Sequence, residues 1–168
     1  MPFAEKNIRE IRESAVSLIS DEWMLVSAGD QTGYNMMTAS WGGLGEMWGK
    51  DVAIAVIRPQ RYTYEFMEKA EGYTLSFYGE EGKKAVHAVC GSKSGREVDK
   101  TALTGLTPVF DGPYTYFEQA RLVLCCKKVY VQDIDPACFT DPSLLEKWYQ
   151  NDYHRAYVGA IEKVLVRA

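Results

Sequence analysis

The sequence predicts a mainly β fold, a small antiparallel β-barrel with short helices. About seven runs rich in β-branched and aromatic residues alternate with turns built from Gly, Pro and Asp. The helical patterns between them are too few and too short for the crossover helices that parallel strands need. A barrel also removes the exposed edges of a small open sheet. The length of 168 residues favours a single domain, which we place over residues 1–168.

Local patterns place each element of the N-terminal half in order. Apolar residues three or four apart indicate a helix, strict alternation indicates a strand, and Gly or Pro marks the ends. Pro59 ends the third strand, and the helix that follows has Tyr62 and Phe66 on one side and Glu65 on the other. The predicted elements are a helix over 14–20, strands over 23–28 and 34–41 around a turn at 29–33, a glycine loop at Gly42-Gly43-x-Gly45, a strand over 51–57 and a helix over 62–70.

The C-terminal half is predicted to be richer in strand. Two long β-rich stretches close the chain, and a polar excursion bearing Trp and Tyr separates them. Two short extended segments flank the turn Asp111-Gly112-Pro113. The predicted elements are strands over 73–78, 120–134 and 153–167, a helix over 81–90, extended segments over 106–110 and 114–118, and the excursion over 136–152.

Charge and composition exclude several classes of function. The net charge of −4 and the lack of a long basic run argue against a nucleic-acid partner. The apolar runs are far shorter than the ~20 residues needed to cross a bilayer, and the N-terminus lacks the apolar stretch of a secretory signal. We therefore expect no membrane association and a cytoplasmic location. The four cysteines, at positions 90, 125, 126 and 138, are expected to be free thiols and to bind no metal, since Cys125 and Cys126 should point to opposite faces of a strand.

Three segments carry candidate binding chemistry. In Asn35-Met36-Met37-Thr38-Ala39-Ser40-Trp41 the small residues Thr38 and Ser40 share one strand face, where a flat heterocycle could approach the backbone. The alternative is a strand with one solvated polar face. In Arg58-Pro59-Gln60-Arg61-Tyr62-Thr63 two guanidinium groups and a hydroxyl converge on a helix N-terminus, which favours a phosphate. The alternative is an ordinary surface loop.

The third segment is Gly91-Ser92-Lys93-Ser94-Gly95-Arg96-Glu97-Val98-Asp99-Lys100. Its glycines, serines and cations suit a phosphate-wrapping loop, although a flexible polar connector remains the alternative. His87 and Cys90 stand three residues apart on a predicted helix, and we expect a surface histidine beside a structural thiol. His154, two residues after Asp152, is the stronger candidate for a functional histidine.

Taken together, four motifs resemble the flavin reductase-like family in order and spacing, from about Trp23 to Val166. The motifs are Asn35-x-Met37-Thr38-Ala39-Ser40-Trp41, Arg58-Pro59-x-Arg61-x-Thr63, Cys90-Gly91-x-x-Ser94-Gly95-Arg96-x-x-Asp99-Lys100 and Asp152-x-His154-x-x-x-x-Gly159. The resemblance implies a split β-barrel of Greek-key antiparallel strands. It also implies a homodimer that holds FMN without a covalent bond, near the subunit interface.

The resemblance further implies a role for each matching residue. His154 would be the catalytic residue, on the nicotinamide side. The excursion over 136–152 is longer than in many reductases of the family, and Asn151-Asp152-Tyr153-His154 stands where they have Gly-Asp-His. The implied cofactor-binding residues are Asn35, Met37, Thr38, Ala39, Ser40 and Trp41 along the flavin ring and ribityl chain, Arg58, Arg61 and Thr63 at the phosphate, and Ser94, Gly95, Arg96 and Lys100 closing over the cofactor.

These expectations lead to a flavoprotein oxidoreductase. Hydride would pass from NADH or NADPH to bound FMN and then to an acceptor such as free flavin, a ferric chelate, a quinone or a partner monooxygenase. Two alternatives stay open at this point. One is an FMN-binding electron carrier that a partner protein reduces. The other is a barrel that binds haem or a free flavin in transit, or no ligand.

Overall fold

Eight strands form one antiparallel sheet that curves into a barrel, so the mainly β prediction is confirmed. The computed structural model describes residues 2–168. Neighbouring strands follow the order β3-β2-β6-β9-β10-β5-β4, β1 pairs with β10, and β7 and β8 form a separate hairpin. The strands are, with their bounds, β1 (Phe3–Lys6), β2 (Met24–Asp30), β3 (Gly33–Ala39), β4 (Gly42–Met47), β5 (Lys50–Ile57), β6 (Gly72–Phe77), β7 (Pro108–Asp111), β8 (Tyr114–Phe117), β9 (Leu122–Asp133) and β10 (Arg155–Arg167).

Helical segments cover the outside of the sheet. The first and third contain π-helical turns, and short 3-10 turns lie at Ile8–Glu10 and Pro136–Cys138. The helices are α1 (Ala15–Ser17, continued by Leu18–Glu22), α2 (Tyr62–Lys69), α3 (Gly79–Gly82, continued by Lys83–His87 and Ala88–Cys90), α4 (Lys100–Thr104) and α5 (Ser143–Trp148). None of the helices in residues 2–168 has the length and apolar character needed to cross a membrane.

The glycine loop predicted at Gly42-Gly43-x-Gly45 is wrong, because these residues form strand β4. The strand pairs with β5 along its whole length and lies at the open edge of the sheet. The reversal comes later, at Trp48 and Gly49, where both residues have positive φ. Glycine is compatible with an edge strand whose outer face is solvated, so the glycine signal for a loop misled the prediction.

Three further elements were not predicted from the sequence, and one of them is helix α5 within the 136–152 excursion. Strand β1 pairs with the end of β10, where Phe3 lies opposite Arg167. Helix α4 begins inside the expected polar connector, because Asp99 caps it by accepting from the amide of Ala102 at 3.1 Å. This cap determines where the next residue, Lys100, stands.

The barrel interior packs around large apolar side chains with one satisfied hydroxyl. Tyr73 is fully buried, and its hydroxyl donates to the carbonyl oxygens of Ala53 at 2.7 Å and Tyr157 at 3.0 Å. Cys126 faces this interior cluster, whereas Cys125 belongs to a second cluster on the other face of β9. The prediction of opposite faces for these two thiols is therefore confirmed, and all four cysteines are free.

Gly159 allows β10 to pass over Tyr73. A Cβ at this position would lie 2.7 Å from both the Tyr73 hydroxyl and Cys126 Cβ. The register between β9 and β10 also shifts beside Gly159. The glycine of the fourth motif therefore has a packing function in the barrel wall.

We expect Gly159→Ala to lower the free energy of unfolding by about 1–3 kcal/mol, the usual cost of overpacking a core. Tyr73 cannot move aside because two carbonyl oxygens hold its hydroxyl. Denaturant unfolding measures the change. The matched control is Gly45→Ala, also in a strand, where a Cβ would meet nothing within 4 Å. Equal stability of the two variants would contradict this account of Gly159.

Candidate functional site

The three segments singled out in the sequence meet at one side of the barrel. Two adjoining clefts, with volumes of about 250 and 290 Å³, lie there and share Arg61. The first is lined by Asn35, Thr63, the 91–95 loop and Lys100, and we call it the cation cleft. The second, the aromatic cleft, is lined by residues 37–41, Val56, Arg58, Arg61, Trp148 and His154.

The floor of the cation cleft is a buried polar contact. Asn35 on β3 donates through Nδ2 to Thr63 Oγ1 at 2.9 Å, and both side chains are buried. Gly95 packs directly against Asn35, since a Cβ on Gly95 would lie 2.2 Å from Asn35 Oδ1. Ser94 lies beside it, and its hydroxyl oxygen accepts from the amide of Arg96 at 3.2 Å. The loop is therefore fitted to the strand and is not a free connector.

Two cations meet in the cation cleft. Lys100 is buried and donates through Nζ to the carbonyl oxygens of Met36 at 2.7 Å and Cys90 at 3.3 Å. Arg61 also donates to the Cys90 carbonyl, at 3.2 Å. Within residues 2–168 neither cation has a carboxylate within 4.0 Å. Among the described residues, the acceptors that these two cations contact are backbone carbonyl oxygens.

Burial lowers the pKa of both cations. The pKa of Lys100 is lowered to about 8, mainly by burial and in smaller part by the nearby Arg61, while Cys90 acts in the opposite direction. Burial likewise lowers the pKa of Arg61 from its usual value. Arg61 also occupies the N-cap position of α2, where its side chain makes no capping hydrogen bond. An anion placed here would stabilise the charged form of both side chains and the start of the helix.

Arg58 lies elsewhere. It forms an ion pair with Asp152, donates to the carbonyl oxygen of Trp148 at 2.8 Å and lies 5.2 Å from the centre of the Tyr149 ring. The pKa of Asp152 is lowered to about 2, first by the Gln150 amide and then by Gln60 and Arg58. Arg58 is therefore paired with a carboxylate and lines the aromatic cleft, whereas its expected role at the phosphate stays a prediction.

His154 is a buried, neutral member of the aromatic cleft. Its ring centre lies 4.8 Å from that of Trp41, and its Nδ1 lies 2.8 Å from the Tyr149 hydroxyl. The pKa of His154 is lowered to about 4, first by burial and then by Arg58, while Asp152 acts in the opposite direction. At neutral pH this histidine can orient a ligand or share a hydrogen bond, but it is not a cation.

The 136–152 excursion folds back over the aromatic cleft. Helix α5 brings Trp148 edge-on to Trp41, with ring centres 5.0 Å apart, and Trp148 remains 43% exposed. Sequence reasoning did not select Trp148 or Tyr149 as site residues. The signal available was the aromatic content of an otherwise polar excursion beside His154.

The remaining predicted residues divide between core and surface. Met37 and Ala39 point into the barrel core, and only Thr38 and Ser40 share the outer face, as period two predicts. Arg96 is exposed, forms an ion pair with Glu65 and lies 4.7 Å from the Tyr62 ring centre. Met37 and Ala39 also line the aromatic cleft, but their side chains belong to the core cluster.

His87 corrects a further expectation, because it is buried and not on the surface. Its Nδ1 lies 2.8 Å from Thr38 Oγ1, so it touches a residue of the first motif. Burial lowers the pKa of His87 to about 4. Across residues 2–168 no three His, Cys, Asp or Glu side chains cluster closely enough to hold a metal ion.

Solved structures share this fold at low sequence identity. The flavoredoxin of Desulfovibrio vulgaris (Miyazaki F) has 20% identity and a TM-score of 0.67, with 98% of this chain and 77% of that chain covered. The FMN-binding protein from Thermus thermophilus with bound p-hydroxybenzaldehyde has 23% identity and a TM-score of 0.66, with 86% and 71% covered. The flavoredoxin from Methanosarcina acetivorans has 17% identity and a TM-score of 0.66, with 87% and 68% covered.

The structural likeness shows that the fold is the split barrel expected from the four motifs. A comparison with curated proteins returns no match. The model of the flavin reductase like domain matches residues 16–168, which include all four motifs and both clefts. The chain therefore belongs to the flavin reductase-like family.

Proposed function

We propose that the chain binds FMN in the two clefts and works as an NAD(P)H-dependent flavoprotein oxidoreductase. The observation that carries the proposal is the pair of cations, Arg61 and Lys100, that meet in one cleft without a carboxylate partner among the described residues. A phosphate supplies the missing negative charge and accepts several hydrogen bonds at once. Membership of the family supports the same ligand.

The residues present fit FMN from end to end. The phosphate would be held by Arg61 and Lys100, with Thr63, Ser94 and Gly95 beside them in the same cleft. The flavin ring would lie toward Thr38, Ser40 and Trp41, where the adjoining cleft is lined by small and aromatic side chains. Because the clefts share Arg61, one elongated ligand can occupy both.

FMN, when bound, supplies the two-electron chemistry that accepts hydride from NADH or NADPH and delivers electrons to an acceptor. The chain's own contribution would be to orient a planar substrate. Trp41, Trp148 and the neutral His154 form an apolar wall suited to a nicotinamide ring. His154 would orient this substrate and would not titrate between pH 6 and 8, because its pKa is lowered to about 4.

We also propose that the chain forms a homodimer in the cytoplasm. An exposed apolar cluster of Met47, Trp48, Val129 and Tyr130 joins the β4-β5 turn to β9, and the Trp48 and Tyr130 rings lie 5.8 Å apart. Clusters of exposed aromatic residues are typical of interfaces. The four free cysteines suit a reducing compartment.

The visible absorption of the purified protein tests the proposed function. We expect a yellow protein that bleaches on anaerobic addition of NADH or NADPH, with a mass in solution of twice 19.0 kDa. A yellow protein that bleaches with neither nucleotide, but is reduced by dithionite, would favour the electron carrier. A colourless protein that takes up no added FMN would overturn the cofactor assignment.

The lowered pKa of Lys100 leads us to expect that FMN binding depends on pH. Its pKa of about 8 means that its charge is lost as pH rises, so affinity should fall between pH 7 and 9.5, where the phosphate stays dianionic. We expect Lys100→Met to weaken binding about 10- to 100-fold at pH 7, and Lys100→Arg to bind with little pH dependence. Fluorescence titration of FMN measures both.

Lys128→Met is the matched control for Lys100→Met. Lys128 also donates to two backbone carbonyl oxygens, of Met67 at 2.5 Å and Glu68 at 3.3 Å, but lies outside both clefts. Its loss should leave the FMN dissociation constant unchanged. If Lys100→Met and Lys128→Met bind FMN equally well, Lys100 does not hold the phosphate.

Substitution of the two arginines of the second motif should affect FMN binding differently. Arg61→Ala is expected to weaken FMN binding about 10- to 100-fold, because a charge-assisted bond is lost. Arg58→Ala should change the FMN dissociation constant less than about 3-fold, since a surface ion pair contributes little. It should instead speed hydrogen exchange of the 143–149 amides, which Arg58 holds through Trp148 and Asp152.

Arg9→Ala is the control for hydrogen exchange, since Arg9 forms an ion pair with Asp51 outside both clefts. Exchange at 143–149 should match the unmodified protein in this variant. An Arg58→Ala variant that binds FMN as poorly as Arg61→Ala would return Arg58 to the phosphate role expected from the sequence.

A further inference from the structure

His87 stands behind the aromatic cleft, in contact with one of its lining residues. It lies in the π-helical turn of α3, is 3% exposed and is enclosed by the rings of Trp23 and Tyr78 at 5.8 and 6.2 Å. Its Nδ1 is 2.8 Å from Thr38 Oγ1. A π-helical turn inside an α-helix is often found at functional sites.

The contact has two possible directions, which depend on the His87 tautomer. If Nδ1 carries the hydrogen, it donates to Thr38 Oγ1, and the Thr38 hydroxyl hydrogen is free for another acceptor. If Nε2 carries the hydrogen, the Thr38 hydroxyl must donate to Nδ1 and can then only accept from a ligand. The tautomer of His87 therefore decides which ligand atoms Thr38 can bind.

The environment of Nε2 favours the first direction. His87 Nε2 is buried and has no hydrogen-bond partner among the described residues. A buried N–H without a partner is rarer and more costly than a buried lone pair without one. The ring stays neutral at physiological pH because burial holds its pKa near 4, with Glu22 and Lys83 nearby acting in opposite directions.

We propose that His87 is a positioning residue whose Nδ1–H donates to Thr38 Oγ1 and so makes the Thr38 hydroxyl a hydrogen-bond donor to the ligand in the aromatic cleft. The nature of that ligand, a flavin ring, rests on the proposed function. A Thr38 hydroxyl fixed as a donor suits acceptor atoms on the edge of the flavin ring. It stabilises the ligand more strongly where negative charge develops on those atoms. His87 itself does not touch the ligand.

The tautomer can be measured directly in the unmodified protein. The chain has only two histidines, His87 and His154, so ¹⁵N-labelled histidine gives two sets of ring signals, and His87→Asn identifies one of them. We expect His87 to show a protonated Nδ1 and a bare Nε2 from pH 6 to 8. A protonated Nε2, or titration of His87 in this range, would overturn the proposal.

Binding measurements test the consequence for the ligand. We expect Thr38→Val and His87→Leu each to weaken FMN binding about 3- to 10-fold, and the double variant to bind no worse than either single one, because they remove one shared interaction. Asn at position 87 can present an N–H at the place of Nδ1, so His87→Asn should bind within about 2-fold of the unmodified protein.

Val86→Ala is the structural control, because Val86 is buried on the same turn of α3 and lies in neither cleft. It should lower stability without changing the FMN dissociation constant. Additive losses in the double variant, or equal effects of Val86→Ala and His87→Leu, would contradict a positioning role. If the unmodified protein takes up no FMN, the proposed function fails, whereas the ring spectrum still decides the His87–Thr38 contact.

Discussion

Arg61 and Lys100 both donate to the carbonyl oxygen of Cys90, and this shared acceptor holds two like charges in one small cleft. The carbonyl belongs to the last residue of α3, where the helix dipole is negative and favours cations. Burial is the main reason that the pKa of Lys100 is lowered to about 8, and the nearby charge of Arg61 contributes less to the same shift. The surrounding elements, the middle of β3, the start of α2 and the 91–99 loop, are arranged around these two charges.

The carboxylate partners of the arginines determine which end of the site carries positive charge. Arg58 and Arg96 have carboxylate partners, Asp152 and Glu65, and so carry little net attraction for an anion. The unpaired positive charge is confined to one end, and the other end is built from Trp41, Trp148 and His154. A ligand with a phosphate at one end and a flat ring at the other matches this polarity.

Side-chain hydrogen bonds join the strand behind the site to three helices. Asn35 bonds Thr63, Thr38 contacts His87, and Lys100 holds the carbonyl of Met36, so β3 is joined by side chains to α2, α3 and α4. Polar groups that are satisfied in a low-dielectric interior specify one arrangement of their elements. The strand that would carry the flavin ring is thereby held against three helices.

Runs rich in β-branched and aromatic residues, bounded by turn residues, predicted most strands, and the four motifs predicted the family and the three segments that meet at the site. These are local signals, since the period of a strand and the order of short motifs are written in adjacent residues. The same signals failed for β4, whose glycines suit an exposed edge strand as well as a loop, and for α4, whose start depends on the Asp99 cap.

Only the tertiary structure decided that Arg58 meets Asp152, far along the chain, while Arg61 keeps no carboxylate partner among the described residues. It also decided that His87 is buried against Thr38. Such pairings arise when the barrel closes and brings distant segments together, and the charge or tautomer of a side chain depends on the partner it then meets.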